Sequence, residues 1–126
     1  MILSPLEKAL ESLKKVLLEP ENDITRDSAI KRFEYTYELS WKFLKRYLEE
    51  VSPTPSEIDS YSFKDLIRTG FEVGVIRDVE TWFGYREARN KTSHTYNETT
   101  AKDVYRILKD FAVDVDFLLG ALKKND

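Results

Sequence analysis

The fold is decided by the stretch from Ile30 to Val51, which reads IKRFEYTYELSWKFLKRYLEEV. Its large apolar residues recur at steps of three and four, at Ile30, Phe33, Tyr37, Trp41, Leu44, Leu48 and Val51. That spacing places them on one face of an α-helix. If the helix starts between Asp23 and Asp27, it has about seven turns at 3.6 residues each. The sequence therefore predicts a long amphipathic helix.

A second amphipathic stretch precedes this helix. Leucines recur there at alternating steps of three and four, at Leu3, Leu6, Leu10, Leu13 and Leu17. Residues 4–7 have the sequence of a capping box, with proline at the first helical position. This pattern predicts a first helix that ends before Pro20.

The segment after the long helix contains residues that interrupt a helix. Residues 52–60 include two prolines and several small polar residues, which favour a surface loop. Ser62 can then cap a short third helix that stops near Thr69. Gly70 is suited to the left-handed position just past the end of that helix.

Two further helices are expected in the second half of the chain. One begins between Val75 and Asp78 and frays near Thr95. The last begins between Asn97 and Thr100 and stops near the C-terminus, with its apolar stripe at Ala101, Val104, Leu108, Phe111, Val115, Leu118 and Leu122. Strict alternation of apolar and polar residues, which would indicate a strand, does not persist anywhere. The sequence predicts an all-α fold, an antiparallel up-and-down bundle of four long helices and a short one, as a single domain over residues 1–126.

Composition limits the classes of function. The net charge is −3, so any contact with RNA or nucleotide must use a local cationic spot. The absence of cysteine excludes disulfides, thiolate metal sites and cysteine nucleophiles, and leads us to expect a reducing, cytoplasmic location. The N-terminus lacks the basic start and apolar run of a signal peptide, and no stretch approaches about 20 apolar residues. Neither secretion nor membrane insertion is expected.

The fourth helix changes character along its length. One stripe is apolar at Val75, Val79 and Trp82 and becomes cationic at Arg86 and Arg89. A fully buried helix would stay apolar, and a fully exposed one would not carry Trp82 beside another aromatic residue. We expect its C-terminal half to face a polar but enclosed site, either a cleft between two copies or the surface of a partner.

The end of this helix carries the only histidine in the chain, within RNKTSHTY at residues 89–96. Histidine changes charge between about pH 5 and 8, which suits His94 to proton transfer, although it could also simply cap the helix C-terminus. Arg89 lies five residues earlier, about 140° around an ideal helix, so the two do not share a face. Because arginine is long and the helix frays near Thr95, the two could still converge on one ligand, and a two-fold axis would bring a second pair close. Asn90 lies four residues before His94 and could orient the imidazole.

An arginine that grips phosphate beside a histidine that moves a proton fits cleavage of a phosphodiester by the ribose 2′-hydroxyl. That reaction needs no metal or other cofactor. The chain also lacks clustered histidine and cysteine ligands, and Asp114 and Asp116 are two apart, which places them on different faces of a helix. Gly70 to Gly74 lack the lysine and the serine or threonine of a phosphate-binding loop, and no serine occupies a nucleophile elbow.

Three stretches carry a family resemblance: Phe33–Lys42, Phe71–Trp82 and Arg89–Glu98. On these residues the chain resembles HEPN-domain proteins of the nucleotidyltransferase substrate-binding branch, close to HepT-like toxins. The resemblance implies a homodimer that works beside a minimal nucleotidyltransferase encoded as a separate chain, with RNA or nucleotide in the dimer cleft. It also implies that Arg89 and His94 form a catalytic pair drawn from both protomers. Tyr96 would be adenylylated by the partner, which silences the toxin of this toxin–antitoxin pair.

Three hypotheses follow. In the first, the protein is a metal-independent endoribonuclease in which Asn90 orients His94, with Lys91 and Ser93 as secondary phosphate contacts. In the second, it is a non-catalytic subunit that binds a nucleotide or an acceptor for the nucleotidyltransferase. In the third, the polar C-terminal half of the fourth helix only forms a dimer interface, in which Arg86 and Arg89 pair with Glu87 or Glu98.

Overall fold

The computed structural model describes residues 1–124; Asn125 and Asp126, the last two residues of the predicted domain, lie outside the described residues. Over residues 1–124 the chain forms helices and no strand, which confirms the predicted all-α bundle. The helices are α1 (Ser4–Leu17), α2 (Asp23–Val51), α3 (Pro55–Ile58), α4 (Phe63–Glu72), α5 (Val79–Lys91), a 3₁₀ turn (Thr92–His94), α6 (Glu98–Arg106) and α7 (Leu108–Lys124). The four longest are α1, α2, α5 and α7.

Helix α2 begins where the sequence predicts, because Asn22 caps it. The Asn22 side chain accepts hydrogen bonds from the backbone N–H groups of Ile24 and Thr25, at 2.9 and 3.0 Å. The predicted stripe is buried from Ile30 to Leu48, apart from half-buried Trp41, whereas Val51 is exposed. Two buried hydroxyls, on Thr36 and Ser40, donate to backbone carbonyls four residues earlier, which satisfies them inside the core.

Helices α1 and α7 are antiparallel. Lys123 Nζ lies 3.4 Å from Glu7 Oε1 at one end, and Lys14 pairs with Asp116 nearer the other. The capping box predicted at Ser4 is wrong, because Ser4 is itself the first helical residue and Leu3 occupies the N-cap without a side-chain bond. Leu3 is buried in the core and its carbonyl accepts the first helical hydrogen bond, from Glu7 N–H at 3.0 Å, which starts the helix one residue earlier.

Helix α4 continues through Gly70, so the prediction that Gly70 lies past its end is wrong. Gly70 is buried in the helix, where an added Cβ would lie 2.7 Å from Ile76 Cγ1 and 3.1 Å from Leu44 Cδ1. The left-handed residue is Gly74, with φ of +88°. Close packing of the chain after the helix therefore explains Gly70, and the turn itself explains Gly74.

Two connections between helices differ from the sequence prediction. The predicted last helix is divided at Ile107, whose N–H bonds to the Val104 carbonyl at 3.2 Å, so that α6 ends at Arg106 and α7 begins at Leu108. No proline or glycine marks this break in the sequence. The segment predicted as a loop also contains the single turn α3, because Ile58 is buried and draws the chain onto α2.

An aromatic cluster joins α2, α5 and α7. The Phe111 ring meets Phe33, Trp82 and Tyr85 edge-on, with ring centroids 4.8, 5.9 and 5.1 Å away. The Tyr85 hydroxyl donates to the buried carboxylate of Asp114, which also accepts a hydrogen bond from Arg77 at 2.6 Å. This network fixes the middle of α5 and the loop before α5 to α7. Among residues 1–124 no helix combines the length and apolar character needed to cross a membrane.

Candidate functional site

Hydroxyl groups set the shape of the chain where α5 ends. The hydroxyls of Thr92, Ser93 and Thr95 each donate to the backbone carbonyl three residues earlier, at 2.7, 3.2 and 3.1 Å. Such side-chain bonds give these carbonyls a partner other than a backbone N–H, and they compete with continuation of the α-helix. The chain therefore leaves α5 through one 3₁₀ turn before α6 begins at Glu98.

Arg89 lies at the last full turn of α5 and is about one-third exposed. Its Nη1 donates to Thr92 Oγ1 at 2.8 Å, and its Nε lies 3.5 Å from Glu38 Oε1 on α2. Nε is buried and makes no hydrogen bond within the described chain. The donors of Arg89 that remain for an anion are those on its two Nη atoms, apart from the one that Thr92 accepts. The pairing with Glu38 differs from the pairing with Glu87 or Glu98 that the interface hypothesis expects.

A groove of about 520 Å³ lies beside Arg89, between α2, α4 and α5. It combines aromatic rings with three cations, and its lining residues are Tyr37, Glu38, Trp41, Lys45, Tyr61, Phe63, Leu66, Arg86, Arg89 and Asn90. Burial raises the pKa of Tyr37, so its hydroxyl stays protonated. Rings that can contact a nucleobase, next to guanidinium groups that can hold phosphate, make this groove suitable for a nucleotide.

His94 lies outside this groove. It is exposed at the end of the 3₁₀ turn, and its ring meets the Tyr96 ring edge-on at 6.1 Å between centroids. Across residues 1–124 no hydrogen bond joins His94 to Arg89 or to the Asn90 side chain. Lys91 and Ser93 are exposed on the same segment. One chain thus brings together Arg89 with Glu38 and Thr92, and separately His94 with Tyr96.

The surface beside Tyr96 is acidic. Tyr96 is 87% exposed and borders a shallow depression that includes Asp23, Asp27 and Glu98. The arginine that lines this depression, Arg26, is buried and is bonded to Glu21 and Asp23 at 3.0 Å each. The side of the turn that carries Tyr96 is therefore unfavourable for a polyanion, in contrast to the groove at Arg89.

The sequence patterns did not identify two residues of this site. Thr92 holds the Arg89 guanidinium, and a signal for it exists, since a hydroxyl three residues after a helical arginine can bond back to it. Glu38 is 51 positions from Arg89 in the sequence and meets it only through the packing of α2 against α5. Among residues 1–124 no group of three or more histidine, aspartate or glutamate side chains is placed to hold a metal ion.

Comparison with known proteins places this geometry in a family. The family described as nucleotidyltransferase substrate binding protein like matches residues 2–124. A Haemophilus influenzae protein named probable ribonuclease HepT is 41% identical over 98 residues, which cover 78% of this chain and 67% of that protein.

Two solved structures are similar over nearly the whole chain. One is a Haemophilus influenzae protein described as having the fold of a substrate binding domain of a nucleotidyltransferase. It has a TM-score of 0.90 and 35% identity, and the match covers 97% of this chain and 99% of that one. The other, a crystal structure from Thermus thermophilus, has a TM-score of 0.80 and 40% identity, with coverage of 93% and 98%. The chain therefore belongs to the family of nucleotidyltransferase substrate-binding-like proteins, as its resemblance to HepT-like sequences predicts.

Proposed function

We propose that this protein is a HepT-like endoribonuclease, the toxin of a toxin–antitoxin pair whose other member is a separately encoded nucleotidyltransferase. It acts in the cytoplasm as a homodimer of one-domain chains. The observation that carries the proposal is the arrangement at the end of α5, where Arg89 lines a groove with Nη donors beyond the one that Thr92 accepts, and His94 is exposed five residues later. The ribonuclease name of the Haemophilus influenzae relative supports it.

The proposed dimer places His94 of one protomer opposite Arg89 of the other. The imidazole takes the proton from a ribose 2′-hydroxyl, and the 2′-oxygen attacks the adjacent phosphorus. The bond from phosphorus to the 5′-oxygen then breaks. The leaving 5′-oxygen takes a proton from solvent, to which the imidazolium returns the proton it took, and the products are a 2′,3′-cyclic phosphate and a 5′-hydroxyl. Arg89 stabilises the charge that develops on the phosphoryl oxygens.

The neighbouring polar residues have secondary roles in this proposal. Asn90 orients the imidazole once the second protomer closes the cleft, and Lys91 and Ser93, both exposed, contact flanking phosphates. No metal or other cofactor takes part.

Tyr96 is the proposed regulatory site. Its phenol oxygen would attack the α-phosphorus of ATP held by the nucleotidyltransferase, releasing pyrophosphate and one proton and leaving adenylate on the tyrosine. The high exposure of Tyr96 makes the hydroxyl accessible. Because its ring lies beside that of His94, the added phosphate would bring negative charge and bulk to the entrance of the cleft.

The decisive experiment measures cleavage of a fluorescent single-stranded RNA by the wild type and by a His94→Ala variant. We expect His94→Ala and Arg89→Gln each to lower the cleavage rate by about 100-fold or more, the usual range for general acid–base and electrostatic catalysis. Arg106→Gln is the matched control, since Arg106 is exposed on α6 and pairs with Asp103 on the same helix. Circular dichroism and light scattering establish that fold and dimer are retained. Unchanged cleavage by His94→Ala would remove His94 from the mechanism.

A second candidate function is favoured by the groove. Aromatic rings beside Arg86 and Arg89 would also suit a non-catalytic subunit that holds a nucleotide for the nucleotidyltransferase. This alternative predicts no RNA cleavage, together with nucleotide binding that Arg89→Gln weakens and His94→Ala leaves intact. The two variants therefore separate the candidates, because only the ribonuclease depends on both residues.

A further inference from the structure

Three cations on α4 and α5 lie over aromatic rings. Lys64 Nζ and the Arg68 guanidinium carbon lie 5.2 and 5.4 Å from the centroid of Phe83, and the Arg86 guanidinium carbon lies 5.2 Å from that of Phe63. We call Lys64, Arg68 and Arg86, with the two rings beneath them, the α4–α5 strip. Cation–π contacts at exposed sites are weak, but they favour these positions of the three charges.

The cations of the strip have no anionic partner. Within residues 1–124, no carboxylate lies within 4.0 Å of Lys64, Arg68 or Arg86, whereas arginines elsewhere, such as Arg26 and Arg77, pair with aspartate or glutamate. Lys64, Arg68 and Arg86 are also exposed, so their N–H donors face solvent. The strip therefore presents three cations that no carboxylate of the described chain neutralises.

The strip is continuous with the groove at Arg89. Phe63 and Arg86 belong to the strip and also line the groove, so a ligand can extend from one to the other. The surface on the other side of the turn, around Tyr96, carries Asp23, Asp27 and Glu98. A polyanion that reaches Arg89 is thus attracted along α4 and α5 and repelled from the side of Tyr96.

We propose that the α4–α5 strip is the track for the phosphate backbone of single-stranded RNA and leads the strand into the groove at Arg89. This inference rests on the proposed ribonuclease function. Lys64 and Arg68 lie four residues apart on α4, about 6 Å between Cβ atoms, so their side chains can reach neighbouring phosphates of one strand. A single strand suits the chemistry, because the 2′-oxygen must rotate into line with the leaving 5′-oxygen, which a regular duplex resists.

The test measures binding of a fluorescent oligouridylate to His94→Ala protein, in which the RNA stays intact. Adding Lys64→Gln and Arg68→Gln should weaken binding about tenfold near physiological salt and make the slope of log K against log salt shallower by about 1.4, for two phosphate contacts at about 0.7 each. The matched control adds Lys31→Gln and Lys109→Gln, which remove the same charge from exposed lysines on α2 and α7. This control should leave affinity and slope unchanged.

Affinity and slope that stay the same in the Lys64→Gln, Arg68→Gln protein would overturn the inference. A loss of dimer in that protein, seen by light scattering, would also overturn it, since the strip would then be an interface between protomers. If both pairs of changes weaken binding equally, general charge explains the effect and the strip is refuted.

Failure of the proposed function gives a different pattern. Wild-type protein would then leave the RNA uncut, while binding that still depends on Lys64 and Arg68 would support the strip alone. If cleavage depends on His94 but is unaffected by Lys64→Gln and Arg68→Gln, the strip is refuted and the ribonuclease proposal stands.

Discussion

Arg89 and Thr92 bind each other in both directions at the end of α5. Arg89 Nη1 donates to Thr92 Oγ1 at 2.8 Å, and the same hydroxyl donates to the Arg89 carbonyl at 2.7 Å. Thr92 is buried, so water does not readily replace these bonds. One hydroxyl thus ends the helix and also sets the direction of the guanidinium that borders the groove.

Thr92→Val should loosen Arg89 while preserving the shape of the side chain. We expect the free energy of unfolding to fall by about 1 kcal/mol for the lost hydrogen bonds. Under the proposed ribonuclease function, RNA cleavage should fall by about 10-fold to 100-fold, because a small displacement of a catalytic group, here the proposed Arg89, is costly. Chemical denaturation and the fluorescent cleavage assay measure the two effects.

Thr95→Val is the matched control for this change. The Thr95 hydroxyl also bonds back over three residues, but its partner is the Thr92 carbonyl, at 3.1 Å, and not a guanidinium. An equal loss of cleavage in the two valine variants would show that the shape of the turn matters and the contact with Arg89 does not.

Tyr96→Phe should abolish modification of this protein by the proposed nucleotidyltransferase partner. The phenol oxygen is the proposed acceptor, and phenylalanine lacks it while keeping the ring beside His94. Co-expression with a minimal nucleotidyltransferase, the proposed partner, followed by intact-mass measurement, should show an added adenylate on the wild type and on a Tyr105→Phe control. Adenylate on the Tyr96→Phe protein would assign the acceptor to another residue.

Stability should decline at alkaline pH because of two buried tyrosines. Burial raises the pKa of Tyr85 above its ordinary value of 10.0, with a further contribution from its bond to Asp114, and burial likewise raises the pKa of Tyr37. The folded protein therefore keeps these protons at pH values where the unfolded chain releases them. The stabilisation is fully present below pH 10 and is lost above it, by up to about 1.4 kcal/mol per pH unit for each tyrosine.

Urea denaturation of the wild type and of Tyr85→Phe, between pH 9 and pH 11, measures this dependence. The variant should be less stable at neutral pH, since Asp114 loses a hydrogen bond, and its stability should fall less steeply as the pH rises. If the free energy of unfolding falls with pH equally steeply in the two proteins, Tyr85 has the same pKa in the folded and unfolded chains.

Two glycines in helices should respond oppositely to alanine. Gly70→Ala should destabilise the protein by about 1–3 kcal/mol, because the new methyl group would collide with Ile76 and Leu44 in a packed core. Gly84→Ala in α5 should stabilise it by about 0.5–1 kcal/mol, since a Cβ there meets nothing within 4 Å and alanine favours helix. Thermal denaturation gives both values. A Gly70→Ala protein as stable as the wild type would show that Ile76 and Leu44 can move aside.

The sequence by itself determined the helical class, the start of α2 and most of the buried stripes. These features depend on the local spacing of apolar residues and on capping side chains such as that of Asn22, which act over one or two helical turns. It also indicated the segment from Arg89 to Tyr96, because a single histidine beside an arginine is visible without any fold. The break at Ile107 and the burial of Gly70 were not visible, since neither depends on local spacing.

Only the tertiary structure decided which groups meet. Glu38 and Arg89 are distant in sequence and come within 3.5 Å because α2 packs against α5. Tyr85 and Asp114 meet through the packing of α5 on α7, and the cations of the α4–α5 strip find their rings across a helix pair. Helical periodicity fixes the face on which a side chain lies, but the partner across that face is set by how helices pack, which no local pattern encodes.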